Sequence, residues 1–376
     1  MTDKLTLTRY LYLADEVSLS LLDCLIAQRD LNEALFWIDE LYSSGFVEVS
    51  WLLMWQIYFD FYAIINPCFI QKLYKYWKKP RTLDNILYIT KNLFHLNSCH
   101  QVFLFRIKKY KKPLTVYLPA SLTKQERILQ AIKCKHIANL RYLLDGYDFN
   151  RVGNIDFLKK YFTKNIENEM HSVLDTDNAF KCFDYPKELS ENFTYYYILS
   201  HMDLGETIKR GRLVGRKLTE QNKTFSKEVG KDDAVGWSRY KVLPEKRQYT
   251  ISKDIGCFER TRDDVIVLNK RMVSLNEVYW YHWLYFTQYT PLWIERIKAY
   301  EGIFNPKTFT VDFPGDDKYE TFHEKYDLEP DEQSQECHNK SLIDIPEKTI
   351  AEWLKARFGV EIDTRCEMVN YKIELK

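Results

Sequence analysis

The chain has 376 residues, with 54 Lys/Arg against 53 Asp/Glu, so a net charge of +1 rules out partner choice by whole-molecule charge. Its eight cysteines form no CxxC pair, and MTDKLTLTRY at the N-terminus has no apolar signal region, which excludes a disulfide framework and predicts free thiols in a reducing compartment. Aromatic residues reach 15%, with 27 Tyr, 22 Phe and 9 Trp. Such rings either fill ordinary cores or serve surfaces that pack against partners.

In chain order, Ala34, Leu35, Ile38, Leu41 and Tyr42 share one helical face, and Gly45 ends that helix. The apolar run from Val47 to Ile65 follows. Its stretch Trp51 to Ile65 contains Gln56 and Asp60 and falls short of the roughly 20 residues of a membrane span, so a buried core helix is expected. Asn66 is placed to cap a third helix with Pro67 in its first turn. Thr82 can cap a fourth, carrying Ile86, Leu87, Ile89, Leu93 and Phe94. These alternating helices predict stacked hairpins, without the fixed period of a repeat array.

Lys111 to Ala120, with two prolines, reads as a link to a second helical layer. Thr123 and Glu126 form a capping box whose helix can run to Leu144. Further helices are expected over 155–173 and 187–202. Six of the 12 glycines then fall between Gly205 and Gly256, and Ile208 to Arg271 holds 17 Lys/Arg against 9 Asp/Glu. This is a basic, loop-rich insert with weak strand signals at 248–251 and 265–268. A capping box at Ser274 and Glu277 leads into an aromatic helix that stops or kinks at Pro291. The helix after it is expected to stop at Gly302. Val311 to His338 carries 10 Asp/Glu against 2 Lys, and its centre has the makeup of an exposed linker. The tail reads as a helix from Pro346 to Phe358, stopped by Gly359, then an alternating strand over 369–375.

Few of these elements carry chemistry. His95, Cys99 and His100 lie close together, but a zinc site usually starts from CxxC or HxxxH, and neither occurs. Gly211 to Lys217 has glycines and basic groups without the ending or the preceding strand of a phosphate loop. No GxSxG or other local nucleophile signature is present. No catalytic, cofactor or metal residue is therefore assigned. A nucleic-acid surface is the better contest: Lys209, Arg210, Arg212, Arg216 and Lys217 supply cations and Trp237 a ring, the combination that single-strand binding uses. Arg106 to Lys112 could extend it. The near-zero net charge favours the opposite reading, in which this insert is neutralised by the acids of 311–338. In the aromatic helix, Trp280, Trp283 and Tyr285 are the candidates for a protein interface.

Two stretches carry a resemblance. Ala34 to Phe46, with Leu52 to Pro67, resembles a segment near the N-termini of an uncharacterised helical protein group of nucleocytoplasmic large DNA (giant) viruses. Trp283 to Gly302 is similar to a late segment of the same group, and together they cover about 50 of 376 residues. The resemblance implies host cytoplasm, a viral factory or a virion, with no secretion; it implies no activity and no site residue.

The expected fold is mainly α. It comprises a helical-hairpin domain (1–110), a second helical layer (111–205), a basic loop-rich insert with a small β part (206–272), an aromatic helical hairpin (273–302), an acidic linker (303–345) and a helix–strand tail (346–376). The expected function is a non-enzymatic structural or protein-interaction scaffold in a virion or viral assembly, with other viral proteins as partners. The alternative is a nucleic-acid-associated accessory factor of viral replication or transcription that binds through the basic insert.

Overall fold

Helical spacing in the first hundred residues becomes a run of short helices joined by tight turns. The computed structural model describes residues 6–110, 121–147, 156–164, 186–202, 215–223, 282–326, 350–361 and 366–368. Its first helices are α1 (Ala14–Ala27), α2 (Leu31–Ser43), α3 (Val47–Phe61), α4 (Phe69–Trp77), α5 (Leu83–Phe94) and α6 (Gln101–Ile107). Asp30 caps α2 by accepting from the Asn32 N–H, and Thr82 caps α5 by accepting from the Asn85 N–H. Gly45 ends α2 at φ +93°, a conformation that favours glycine, and its missing side chain lets Pro291 pack there. Asn66 does not cap α4 as its position suggested. Its amide donates to the carbonyls of Tyr62 and Asn97 instead, tying two turns together, and α4 begins at Phe69.

Helix α3 is apolar on nearly every face, and everything else assembles around it. Trp51, Trp55, Tyr58, Phe59 and Phe61 are fully buried. Helices α1, α2, α5 and α6 pack on it from within the same hundred residues. A later helix, α10 (Ser190–Ser200), covers another face: Phe193 and Tyr196 lie 5.7 and 5.8 Å from the Phe59 ring. The C-terminal helix α14 (Ile350–Phe358) covers its end, with Trp353 edge-on to Phe61 and Phe103. Large rings in such sites are worth several kcal/mol each when deleted.

The second layer differs from expectation in one place. The helix opened by the Thr123–Glu126 capping box breaks at Lys135, which takes φ +54°, so α7 (Lys124–Lys133) and α8 (Ile137–Leu144) form a hairpin. Helix α9 (Asp156–Lys164) follows. Strand β1 (Lys108–Tyr110) pairs antiparallel with β4 (Cys366–Met368), Lys109 facing Glu367. Residues 369–375, where a strand was expected, lie outside the described residues, as do 111–120 and both weak strand signals of the insert.

Residues 282–326 form a satellite unit. It runs α11 (Trp283–Phe286), α12 (Pro291–Ala299), a hairpin of β2 (Ile303–Asn305) and β3 (Thr310–Asp312), and α13 (Asp316–Tyr326). The first half of the expected acidic linker is therefore folded; its centre, 327–336, lies outside the described residues. As expected, the aromatic stretch stops before Pro291, which starts α12. At the far end Glu301 takes the left-handed position (φ +59°), while Gly302 is needed for space, since a Cβ there would meet Ile297, Phe313 and Val311. The Trp293 indole donates to the Thr8 carbonyl, fastening the unit to the N-terminal loop.

Four fully buried carboxylates cross-tie these layers. Arg9 bonds Asp39 (2.9 Å) and Glu40 (2.8 Å) on α2. Asp23 on α1 receives Arg29, Arg357 and the Trp353 indole. Asp60 on α3 receives a two-pronged Arg106 (3.1 and 2.7 Å) and Asn192 (3.0 Å). Such pairs add little net stability, but deleting one partner strands a buried charge.

Arg106→Ala should therefore cost about 3–5 kcal/mol at neutral pH. Burial already holds the Asp60 pKa above its ordinary range, with Arg106 and Asn192 pulling it down. Without Arg106 it rises further. A carboxyl raised in the folded state contributes stability below its unfolded pKa and loses it as pH rises through the folded pKa. Urea unfolding of this variant should show a larger deficit at pH 8 than at pH 5; an equal deficit would contradict the assignment.

Candidate nucleic-acid interface

Between Phe61 and Leu83 the sequence contains no acidic residue, and this stretch includes all of α4. Phe69, Ile70 and Leu73 turn inward to the core. Helical spacing then leaves Lys75 and Lys79 exposed, with Lys72 and Tyr76 half-buried beside them. On α5, Ile86, Leu87, Ile89 and Leu93 face the core, which puts Tyr88, Lys91, Asn92 and His95 along the neighbouring side. The Tyr76 and Tyr88 rings stack across the two helices at 4.5 Å. Lys79 lies 4.9 Å from the Tyr76 ring, and Lys78 lies 4.9 Å from Trp77.

The basic insert joins this surface through residues 215–223. Asn92 grips the backbone of Arg216 from both sides: its carbonyl oxygen accepts the Arg216 N–H (2.8 Å), and its amide donates to the Arg216 carbonyl (3.0 Å). Buried Asn222 accepts from Lys91 Nζ (2.6 Å) and donates to Asn32 at the start of α2 (3.3 Å). Gly215 lies so close to α5 that an added Cβ would overlap the Tyr88 hydroxyl and sit 3.0 Å from Lys72 Nζ. Stacking on Tyr76 denies Tyr88 an easy retreat.

These ties gather positive charge. Burial and then Arg216 lower the Lys91 pKa. Burial, then Arg216 and Lys91, hold His95 below the ordinary histidine value of 6.5. Burial alone lowers Lys72. No carboxylate among the described residues acts on any of the three. Among the described residues, Lys75, Lys79, Lys91, Arg216 and Lys217 make no ion pair, whereas Arg81 at the edge pairs with Glu48.

Of the expected nucleic-acid residues, Arg216 and Lys217 are exposed on this surface, and Lys209, Arg210, Arg212 and Trp237 lie outside the described residues. The neutralising pair expected between the insert and the acidic stretch does not form within the described parts: neither Arg216 nor Lys217 meets an acid of 311–326. Arg106 does not extend the basic surface, because Asp60 takes its guanidinium inward. Trp283 and Tyr285 are buried, Trp283 against Trp293 (5.6 Å) and Tyr285 against Phe309 (5.2 Å); Trp280 lies outside the described residues. His95, Cys99 and His100 diverge: His95 is exposed, Cys99 buried, and His100 lies against the Phe358 ring.

Sequence reasoning passed over Lys72, Tyr88, Lys91 and Asn92. The acid-free stretch around α4 was the available signal for the first; nothing local marks an asparagine that binds a segment 124 residues away. Comparison with protein-family models, with curated proteins and with solved structures finds no match to this chain.

Asn92→Leu should release the insert while sparing the core. The Arg216 amide should exchange with solvent about 5- to 150-fold faster, as the loss of ~1–3 kcal/mol of hydrogen bonding implies. Amides within α3 should keep their rates. Gly215→Ala should give a milder version of the same change, and unchanged exchange at Arg216 in both variants would refute the clamp.

Proposed function

We propose that this chain is a non-enzymatic, nucleic-acid-associated accessory protein that binds single strands on the α4–α5 surface. The observation that supports it is the exposure of Lys75, Lys79, Arg216 and Lys217 near the stacked Tyr76 and Tyr88, with the mostly buried Lys91 behind them, and none of the five cations in an ion pair among the described residues. Cations attract the phosphate backbone, and half-buried tyrosines at the rim of such a surface can stack with bases of any sequence. The buried acids offer no competing chemistry, since Asp23, Asp39, Glu40 and Asp60 are each held by arginine. The setting, replication or transcription in a large DNA virus, rests on the resemblance of Ala34 to Phe46 and Trp283 to Gly302 alone.

Binding of a fluorescent 12-nucleotide single strand should weaken steeply with salt. Three or four phosphate contacts give a log–log slope of about −2 to −3. Lys75→Glu/Lys79→Glu/Lys217→Glu should lower affinity at least tenfold and flatten that slope. Affinity indifferent to salt, or untouched by the three reversals, would sink the proposal.

A second reading, the protein-interaction scaffold, is favoured by the satellite unit. Ile303 is 70% exposed, Tyr319 51% and Phe309 45%, more apolar surface than a short hairpin and helix need show. If this unit docks onto a second copy, sedimentation over a concentration series should show association that Ile303→Glu/Phe309→Glu abolishes. A chain that stays monomeric throughout would count against it.

A further inference from the structure

Lys91 and His95 flank Asn92 at the end of α5, Asn92 holds the Arg216 backbone, Asn222 holds Lys91 Nζ (2.6 Å), and Lys72 reaches to 3.5 Å from the Asn92 carbonyl oxygen. The mild explanation is that Lys91 and His95 merely complement the negative end of α5. Two observations go against it. The last two carbonyls there already have other donors, since Leu93 accepts from the His95 and Leu96 N–H groups and Phe94 from the Gln28 amide (2.8 Å). Arg216 is no part of the helix, yet its backbone is fixed on both sides so that its charge stays beside the Lys91 ammonium, with the His95 imidazole, kept neutral by burial and by the two, as a further hydrogen-bond donor.

Holding like charges together costs free energy that a bound anion returns. Lys91 has three donors, of which Asn222 occupies one, and the Arg216 guanidinium is exposed. The charge of the preferred ligand follows from the number of cations. A phosphodiester inside a strand carries one negative charge, whereas a terminal phosphomonoester carries about 1.5 to 2 at neutral pH and has three acceptor oxygens. The stacked Tyr76 and Tyr88 begin one helical turn away, where the last base of a strand would lie.

We propose that the corner formed by Lys91, His95 and Arg216, with Lys72 beside it, seats the terminal phosphate of a single strand, so that the protein prefers phosphorylated strand ends. This rests on the single-strand reading above and names the feature of the strand that the site selects.

The test measures binding of one 12-nucleotide sequence as its 5′-phosphate, 3′-phosphate and all-hydroxyl forms, with inorganic phosphate alone as a fourth ligand. At least one phosphorylated form should bind about tenfold or more tightly than the hydroxyl form. Arg216→Gln should bring the three strands to a common affinity, with a melting temperature that shows the fold intact. Equal binding of all three strands by the wild-type chain overturns the end preference and leaves the strand reading standing. Inorganic phosphate binding as tightly as the phosphorylated strand overturns it too, by marking a free-phosphate site. Failure of every strand to bind refutes both readings together.

Discussion

Helix α3 has no polar face to give to water, and most of the architecture follows from that. A helix apolar all round is stable only when other elements enclose it. The neighbouring helices α1, α2, α5 and α6 do not suffice, so α10 and α14 are drawn in from more than a hundred residues away. The buried carboxylate on α3, Asp60, then has to be met inside the core; Glu48, in the first turn, stays at the surface. Arg106 comes from α6 and Asn192 from α10, so the same residue that would disrupt the core fixes the position of two helices. Asp23 does the equivalent work at the other end, holding Arg357 and the Trp353 indole of α14.

Such enclosure decides where chemistry can occur. With the buried acids matched by arginines, polar groups free to meet a partner lie on the rim. The rim is uneven. Around α4 it is cationic and ringed with tyrosine, while the satellite unit shows Ile303, Phe309 and Tyr319. Two surfaces of different character thus stand on the described helices, and of the two the cationic one is the more specifically built. Its charges are placed by specific hydrogen bonds; the apolar one is a set of uncovered side chains.

Much of this body was legible in the chain itself because its signals are local. Thr82, the Thr123–Glu126 box, Gly45 and Gly359 act within a turn of their own positions, and each ends or starts a helix where spacing places it. Signals failed where a distant contact overrode them. Asn66 has the sequence context of a cap, but the carbonyls of Tyr62 and Asn97 compete for its amide and win. The break at Lys135 carries no glycine or proline to announce it. The hairpin at 303–312 hides in an acidic stretch because only Val311 of β3 is buried, too little for an alternating pattern. Trp283 and Tyr285 looked available to a partner because composition does not reveal that Trp293 and Phe309 already occupy them.

The choice of asparagine at 92 and 222 bears most directly on what the cationic surface is for. An aspartate at 92 could accept the Arg216 N–H and the Lys72 ammonium at least as well, and one at 222 could accept from Lys91. Either would cancel the charge it holds. Asparagine instead donates as well as accepts, so Asn92 also satisfies the carbonyls of Arg216 and Tyr88, and Asn222 reaches Asn32. The neutral amides do the structural work and leave the positive field unquenched. A carboxylate at either position would lose those donated bonds as well as quench the charge beside it. Asparagine keeps the cations in place without neutralising them, and that unquenched charge is the feature on which the single-strand proposal rests.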